Sequence, residues 1–239
     1  MLSIGSHLPQ EELLPRILFI TADWPTGAAF TVTVERFARI VPVGSIHEGV
    51  QKLAEGPFGL VILDQAHEDD DVRPLLRAAR ARRCSVLVIA ESVRIPDALD
   101  QLGGWRLAQW PITIQALVER AWSAFAAHQS QPPQLGRPVS QAIEQIRLNY
   151  HGPLTVGALA DAVHVSPSHL AHRFRSETGL SVKDYVTKVR IEVARRLLLE
   201  TDAKLESIAD AVGFCDAPHL SRVFVQHTRR RPGEYRRQH

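Results

Sequence analysis

The chain has 239 residues, of which 45% are hydrophobic and 23% charged, a composition typical of globular proteins that argues against wholesale disorder. No run of about 18 apolar residues is long enough to span a membrane, and the N-terminus lacks the basic and apolar segments of a signal peptide. Two distant cysteines, Cys84 and Cys215, exclude a disulfide scaffold and a zinc ribbon. We therefore expect a cytoplasmic protein.

The charge is distributed unevenly along the chain. Residues 1–134 carry 12 Lys and Arg against 15 Asp and Glu, whereas residues 135–239 carry 16 against 11. This asymmetry suggests that the basic half meets a polyanion. Residues 129–138 are rich in proline and show no apolar periodicity, so we expect a linker there. The predicted domains are a regulatory domain over 1–128 and a second domain over 139–239.

The first half alternates between short apolar runs and amphipathic stretches. The runs Ile17–Ile20, Leu60–Leu63 and Val86–Ala90 are typical of strands buried on both faces of a parallel sheet. Between and after them, helical periodicity covers three segments: Ile46–Glu55 with Ser45 as its N-cap, Val72–Arg83 and Thr113–His128. This alternation predicts a doubly wound α/β domain of the flavodoxin-like class.

The second half lacks strand patterns and is predicted to be all α. Its seven expected helices are Val139–Tyr150, Val156–Val163, Ser168–Glu177, Val182–Glu200, Leu205–Val212, Pro218–His227 and Gly233–Arg236. Two of the helix pairs share one design, a helix and a tight turn followed by a second helix with a good N-cap at Ser166 or Asp216. That is the pattern of a helix-turn-helix unit, whose second helix enters the major groove of DNA.

The two predicted units are separated by Val182–Glu200, a helix of about 28 Å at 1.5 Å per residue. A spacer of this length suits two recognition helices set about 34 Å apart, one turn of DNA. We therefore expect one chain to span two successive major-groove segments without dimerising.

From about Val139 to Arg236 the sequence resembles the AraC/XylS-type transcriptional regulators. The resemblance rests on motifs matched in spacing across nearly the whole segment: Ser166-Pro167-Ser168-His169-Leu170, Phe174 with Thr178-Gly179, Tyr185, Arg190-Ile191, Ile208-Ala209, Val212-Gly213-Phe214, Leu220-Ser221-Arg222-Val223-Phe224, and Pro232 with Tyr235-Arg236. It implies a double helix-turn-helix domain that binds promoter DNA, controls transcription and contacts RNA polymerase.

The resemblance also assigns roles by position. The base-contacting residues would be Ser168, Ala171, His172, Arg175, Ala217, Pro218, Ser221 and Arg222. Residues expected to contact phosphate are Thr155, Ser166, Lys183, Lys188, Arg190, Arg195, Arg229, Arg230 and Arg231. Arg222 is suited to guanine O6 and N7, and helix N-termini at Thr155 and Ser166 attract phosphate. For Arg190 and Arg195 a second interpretation stays open, namely a solvated helix face or ion pairs with Glu192 and Glu200.

One position departs from the family pattern. The family usually has Thr-Gly before the last helix, where this chain has Thr228-Arg229. Glycine permits positive φ, so an arginine there predicts a strained or reshaped turn, three charges offered to the DNA backbone, or both.

The first half resembles the receiver domains of response regulators, with strands at Arg16–Ala22, Leu60–Asp64, Val86–Ala90 and Arg106–Pro111. Asp64 then occupies the position of the phospho-accepting aspartate, at the carboxyl edge of the sheet where α/β folds place ligands. Its alternative role is a strand-end cap or helix partner. The acidic pair that holds Mg²⁺ in receivers is replaced by Thr21 and Ala22, with only Asp23 following.

Two further receiver residues are replaced. Ala90 stands at the position of the hydroxyl residue, and Trp110 at that of the lysine. We therefore expect a receiver-like domain that has lost metal-dependent phosphorylation, because phosphoryl transfer needs the bound cation. The acidic run 67–71 is interpreted as a solvated loop and not as a metal site. Trp24, Trp105 and Trp110 are interpreted as core residues, or as the lining of a ligand pocket or partner surface.

These observations together predict a bacterial transcription regulator with no cofactor and no metal. We expect its first half to act through a homodimer contact on the helix Thr113–His128, a partner or a ligand. The alternatives are a phosphorylation-dependent response regulator that uses Asp64 and a regulator that senses a small molecule. No nucleophile–base constellation, phosphate loop or metal-ligand spacing favours an enzyme.

Overall fold

The computed structural model describes residues 14–65, 71–90, 105–109, 112–124 and 134–237. These residues form two compact units. We call one the sheet unit; its described residues are 14–22, 34–65, 71–90, 105–109, 112 and 119–124. The other, the helical unit, comprises residues 23–33, 113–118 and 134–237. No helix among the described residues is both long and apolar enough to cross a membrane.

The sheet unit is built on five parallel strands in the order β2-β1-β3-β4-β5. The strands are β1 (Arg16–Ile20), β2 (Arg39–Val43), β3 (Leu60–Gln65), β4 (Ser85–Ala90) and β5 (Trp105–Gln109). This order is that of flavodoxin-like folds, which confirms the predicted fold class. β2 was not predicted, because Pro42 interrupts its apolar run and its residues are mostly only half-buried.

Two amphipathic helices of the sheet unit, α2 (Ile46–Glu55) and α3 (Arg73–Ala81), lie where the sequence predicts them. Ser45 caps α2 by accepting a hydrogen bond from the Glu48 amide at 3.2 Å. Their buried side chains, among them Leu53 and Leu75, share one core with residues from the inner strands. Burial raises the pKa of the Cys84 thiol to about 12, so it stays protonated and unreactive at neutral pH.

The helical unit contains the seven predicted helices of the second half, each within two residues of its expected ends. They are α5 (Arg137–Asn149), α6 (Val156–Ala162), α7 (Pro167–Thr178), α8 (Val182–Glu200), α9 (Leu205–Ala211), α10 (Ala217–Thr228) and α11 (Pro232–Arg236). α5 begins at Arg137, so the last two residues of the expected linker are helical, with Pro138 in the first turn where proline is tolerated.

A helix near the N-terminus, α1 (Trp24–Val34), also contributes residues 23–33 to the helical unit. The sequence patterns did not predict it. It contains Gly27 and several β-branched residues, which have weak helix propensity, and its apolar residues do not form one stripe. Thr31 and Thr33 satisfy their hydroxyls within the helix, on the carbonyl oxygens of Gly27 and Ala29.

The remaining described helix, α4 (Ile114–Ala124), lies within the expected segment Thr113–His128, whose last residues are outside the described part. Its apolar face was expected to mediate a homodimer. That face is instead buried inside the chain, with Ile114, Leu117 and Val118 at most 1% exposed. These residues are therefore not available to a second copy in this form, and the homodimer contact stays a prediction.

Candidate nucleic-acid interface

The first helix-turn-helix unit consists of α6, a tight turn and α7. Thr155 caps α6 by accepting a hydrogen bond from the Ala158 amide at 3.1 Å, and Ser166 caps α7 through the His169 amide at 3.2 Å. In the turn, His164 has φ 57°, and the next amide, that of Val165, returns to the carbonyl of Ala160 at 3.0 Å. The two helices are held by a small apolar core: Leu159, Ala160, Val163, Leu170 and Phe174.

The second unit, α9 and α10, repeats this construction. Gly213 takes the left-handed conformation with φ 79°, and the amide of Phe214 returns to the carbonyl of Ala209 at 2.8 Å. Asp216 caps α10 through the His219 amide at 2.6 Å, and this hydrogen bond is the main reason that the pKa of Asp216 lies below its usual range. The core repeats as well: Ile208, Ala209, Val212, Leu220 and Phe224.

The two turns differ in their glycine requirement. At Gly213 a Cβ would clash with the backbone of His151, whereas His164 carries a side chain that is exposed to solvent. Gly213 is therefore needed both for its positive φ and for the close approach of the chain that leads into α6.

On α7 the structure brings the four predicted base-contacting residues onto one exposed face. Ser168, Ala171, His172 and Arg175 are all exposed and follow the spacing i, i+3, i+4, i+7 of one helix stripe. The opposite stripe contains Leu170 and is buried. The unit thus presents an exposed and mostly polar stripe from Ser168 to Arg175 on its second helix.

The face of α10 is smaller than predicted. Pro218 and Arg222 are exposed and Ser221 is half-buried, but Ala217 is only 8% exposed. Ala217 shares the inward stripe of Leu220 and Phe224, three and seven residues later. It therefore belongs to the core, and its assignment as a base-contacting residue is corrected.

Two arginines expected to contact phosphate instead form hydrogen bonds inside the helical unit. The guanidinium of Arg190 donates to the carbonyl oxygens of Tyr150 and Gly152, both at 2.7 Å, and its burial lowers its pKa. Arg195 donates to Tyr235 Oη at 2.8 Å and forms an ion pair with Glu192 at 2.8 Å. Both side chains fasten neighbouring segments to α8, so they are removed from the proposed interface.

The other candidates for phosphate contact are accessible. Thr155, Ser166, Lys183 and the three consecutive arginines Arg229, Arg230 and Arg231 are exposed, and Lys188 is half-buried. Thr155 and Lys183 line the same groove, which has a volume of about 600 Å³ and also reaches His219, Gln226 and His227. No sequence pattern indicated these last three residues, because they reach the groove only through the packing of α10 against α8.

Arg229 ends α10 in the left-handed conformation, with φ 60° and ψ 16°, and its amide bonds to the carbonyl of Val225 at 2.8 Å. The corresponding residue at the end of α7 is Gly179, with φ 78°. Arg229 thus adopts the backbone conformation of a glycine, which is unfavourable for a residue with a Cβ. The contact of the three arginines with the DNA backbone stays a prediction.

Replacing Arg229 by glycine is therefore expected to stabilise the protein by about 1 kcal/mol, because the left-handed conformation is unfavourable for residues with a Cβ. Arg229→Ala removes the same charge but keeps the Cβ, so it is the matched control. Urea unfolding measures both variants. If the glycine and alanine variants were equally stable, the backbone at position 229 would not be strained by a Cβ.

In the sheet unit, Asp64 lies near the end of β3 and is only 9% exposed. The hydroxyl of Thr21, which follows β1, donates to Asp64 Oδ2 at 2.7 Å. These two strands flank the point where the strand order reverses, the usual ligand edge of such a sheet. Thr21 thus gives Asp64 a neutral hydroxyl partner at this edge of the sheet.

Asp23, the remaining acidic residue of this segment, is used inside the helical unit. It caps the start of α1 through the hydroxyl of Thr26, 2.5 Å away, and lies 3.8 Å from the guanidinium of Arg147. Among the described residues no cluster of His, Cys, Asp and Glu could hold a metal ion. Most of the acidic run 67–71 and Trp110 lie outside the described residues, whereas Asp71 is exposed and pairs with Arg73 at 2.7 Å.

Residues 159–238 match the family described as a helix-turn-helix domain. The lactose operon transcription activator of Staphylococcus xylosus is 33% identical over 148 residues, which cover 62% of this chain and 51% of that protein. A putative AraC-like transcription regulator of Streptomyces lividans is 43% identical over 83 residues, covering 35% of this chain and 27% of that protein.

Among solved structures, the C-terminal domain of AraT, a response regulator from Geobacillus stearothermophilus, is 31% identical with a TM-score of 0.43. That match covers 44% of this chain and 88% of the solved chain. The chain spans between 32% and 51% of the length of the first three curated relatives that it matches.

Proposed function

We propose that this chain, whose residues 159–238 match a helix-turn-helix domain family, is a sequence-specific DNA-binding transcription regulator of the AraC type. The observation that carries the proposal is the pair of capped helix-turn-helix units that precede and follow the helix α8 in the chain. Each unit exposes a polar, partly basic face on its second helix, around Arg175 in the first and Arg222 in the second.

Base readout in this proposal belongs to seven residues, and phosphate contacts to a separate set. The base-reading residues are Ser168, Ala171, His172, Arg175, Pro218, Ser221 and Arg222. The phosphate contacts come from Thr155, Ser166, Lys183, Lys188, Arg229, Arg230 and Arg231. Phosphate contacts fix the register of the protein on the duplex, and the base contacts give sequence preference.

The direct test is selection of duplexes from a random DNA library by the full chain, followed by sequencing and footprinting. We expect one enriched sequence with two protected segments, about one helical turn apart on the same face of the duplex. Recovery of unenriched sequence, or of a single protected segment, would contradict the proposal. RNA polymerase as a partner is tested separately, by transcription from a promoter that carries the selected site.

The sheet unit is proposed to be a receiver-like regulatory module that does not use phosphorylation. Two features favour this over a phosphorylation-dependent regulator. The hydroxyl of Thr21 donates a hydrogen bond to Asp64, and the carboxylate of Asp23 pairs with Arg147 in the helical unit. A Mg²⁺ ion at Asp64 would lack the carboxylate pair that such chemistry needs.

Incubation of the full chain with acetyl phosphate and Mg²⁺ is therefore expected to leave its intact mass unchanged. Mass spectrometry measures the result, and an authentic receiver domain treated in the same way is the positive control. The interpretation fails if the wild-type chain gains one phosphoryl group and Asp64→Ala does not.

A further inference from the structure

The helix α1 is fastened along the spacer helix α8 at two separate points within the helical unit. Near one end of α8, the fully buried hydroxyl of Tyr185 donates to the carbonyl of Ala29 at 2.9 Å and lies 2.8 Å from the hydroxyl of Thr33. Near the other end, the guanidinium of Arg196 lies over the ring of Trp24, 4.6 Å from its centroid.

The order of the contacts fixes the direction of the two helices. Tyr185 meets the C-terminal part of α1, whereas Arg196 meets its first residue, so the helices run antiparallel. Tyr185 and Arg196 lie about three turns apart on α8 and therefore on the same stripe, with Val189 between them. All three residues are at most 9% exposed.

A polar chain fixes the start of α1 to α5 as well. Arg147 donates to the hydroxyl of Thr26 at 3.1 Å and to Glu144 at 2.9 Å. Thr26 is fully buried, and a buried hydroxyl that lost its partner would be costly. The position of α1 on the unit is therefore specified by hydrogen bonds and not only by apolar contact.

None of these contacts involves the exposed recognition faces. The α1 contacts fall on Tyr185, Arg196 and Arg147, whereas base readout is assigned to residues of α7 and α10. The contacts described here leave the proposed base-reading residues uncovered by α1. Those of Tyr185 and Arg196 fall on α8, the element that connects the two helix-turn-helix units.

We propose that α1 stiffens α8. The stiffened α8 then holds the two recognition helices at the separation that one duplex requires. The proposal rests on the DNA-binding function inferred above. Tyr185, Thr33 and Trp24 are then positioning residues: they touch no base, and they make binding at the first groove segment favour binding at the second. A stiff connection raises the effective concentration of the second unit at its segment, and a loose one lowers it.

The test uses the full chain and the duplex recovered from the random library, in three forms. One form is unchanged, one carries three extra base pairs between the two protected segments, and one keeps only the first segment. The variants are Tyr185→Phe, which retains the ring against Phe174, Trp24→Leu and the double variant. Tyr235→Phe is the matched control, because it removes a hydroxyl that contacts Arg195 on α8 without involving α1.

We expect the insertion to weaken wild-type binding about a hundredfold, because three base pairs turn the second segment away by about a third of a helical turn. In the double variant, the affinity for the unchanged duplex should fall about tenfold. The insertion should then weaken binding by a smaller factor than in the wild type. The affinity for the single-segment duplex should equal that of the wild type. Tyr235→Phe should keep the wild-type ratio between the duplexes.

Thr33→Val provides an independent variant that alters α1 alone, and circular dichroism verifies that each variant is folded. The proposal that α1 stiffens α8 is overturned if the double variant and Thr33→Val both keep the wild-type ratio of affinities for the unchanged and inserted duplexes. A wild-type chain that enriches no duplex at all overturns the DNA-binding function instead, so the two failures are distinguishable.

Discussion

Gly213→Ala is expected to destabilise the helical unit by roughly 3 kcal/mol. Two costs add: a left-handed backbone is unfavourable by about 1–2 kcal/mol for a residue with a Cβ, and overpacking against a fixed backbone typically costs about 1–3 kcal/mol. The new methyl group would meet the backbone of His151, which has no flexible end that can move away. Chemical unfolding followed by circular dichroism gives the change in the free energy of unfolding.

His164 supplies the control, since it occupies the corresponding place in the first turn with φ 57°. Because a side chain is already accommodated there, His164→Ala should change stability by less than about 0.5 kcal/mol. His164→Gly should stabilise the protein, for the reason given for Arg229. Equal destabilisation by Gly213→Ala and His164→Ala would show that the contact with His151 has no part in the effect.

Arg222→Ala is expected to weaken binding to the selected duplex by roughly 1–3 kcal/mol, a factor between about 5 and 150, while binding to random duplex changes little. The reason is that a bidentate arginine–guanine contact distinguishes one base pair from the others. Arg230→Ala should instead weaken both duplexes alike, since a phosphate contact carries no sequence information. Fluorescence anisotropy with both duplexes gives the two affinities for each variant.

The salt dependence of the same measurement separates the two roles again. Loss of one phosphate contact should reduce the slope of log affinity against log salt by about 0.9, so Arg230→Ala should change this slope and Arg222→Ala should leave it nearly unchanged. If Arg222→Ala weakened random and selected duplexes by the same factor, Arg222 would be a phosphate contact and not a base reader.

The helices of the second half could be predicted within two residues because their periodicity, caps and turn residues all agree. Thr155, Ser166 and Asp216 cap the helices that their positions indicate. α1 and β2 were missed because their sequences carry weak local signals: α1 is rich in β-branched residues, and β2 contains Pro42. Their structure depends on contacts with distant parts of the chain, which no local pattern contains.

The candidate interface was predictable to the extent that exposure follows helix periodicity. All four residues of α7 are exposed as expected, whereas Ala217 at the start of α10 turned inward with the buried stripe. Arg190 and Arg195 could not be assigned from sequence. An arginine on a helix has the same local pattern whether it contacts DNA, a carbonyl oxygen or a phenol, and only the tertiary structure distinguishes these partners.

The two recognition helices have chemically different N-termini, a neutral hydroxyl at Ser166 and a charged carboxylate at Asp216. A DNA phosphate is attracted to the first terminus and repelled by the second. On the proposed function, the two halves of a bound sequence are therefore not interchangeable, and we expect a single molecule to have a defined direction on the duplex. Inverting the binding site relative to a transcription start would then reverse which end of the protein faces the polymerase.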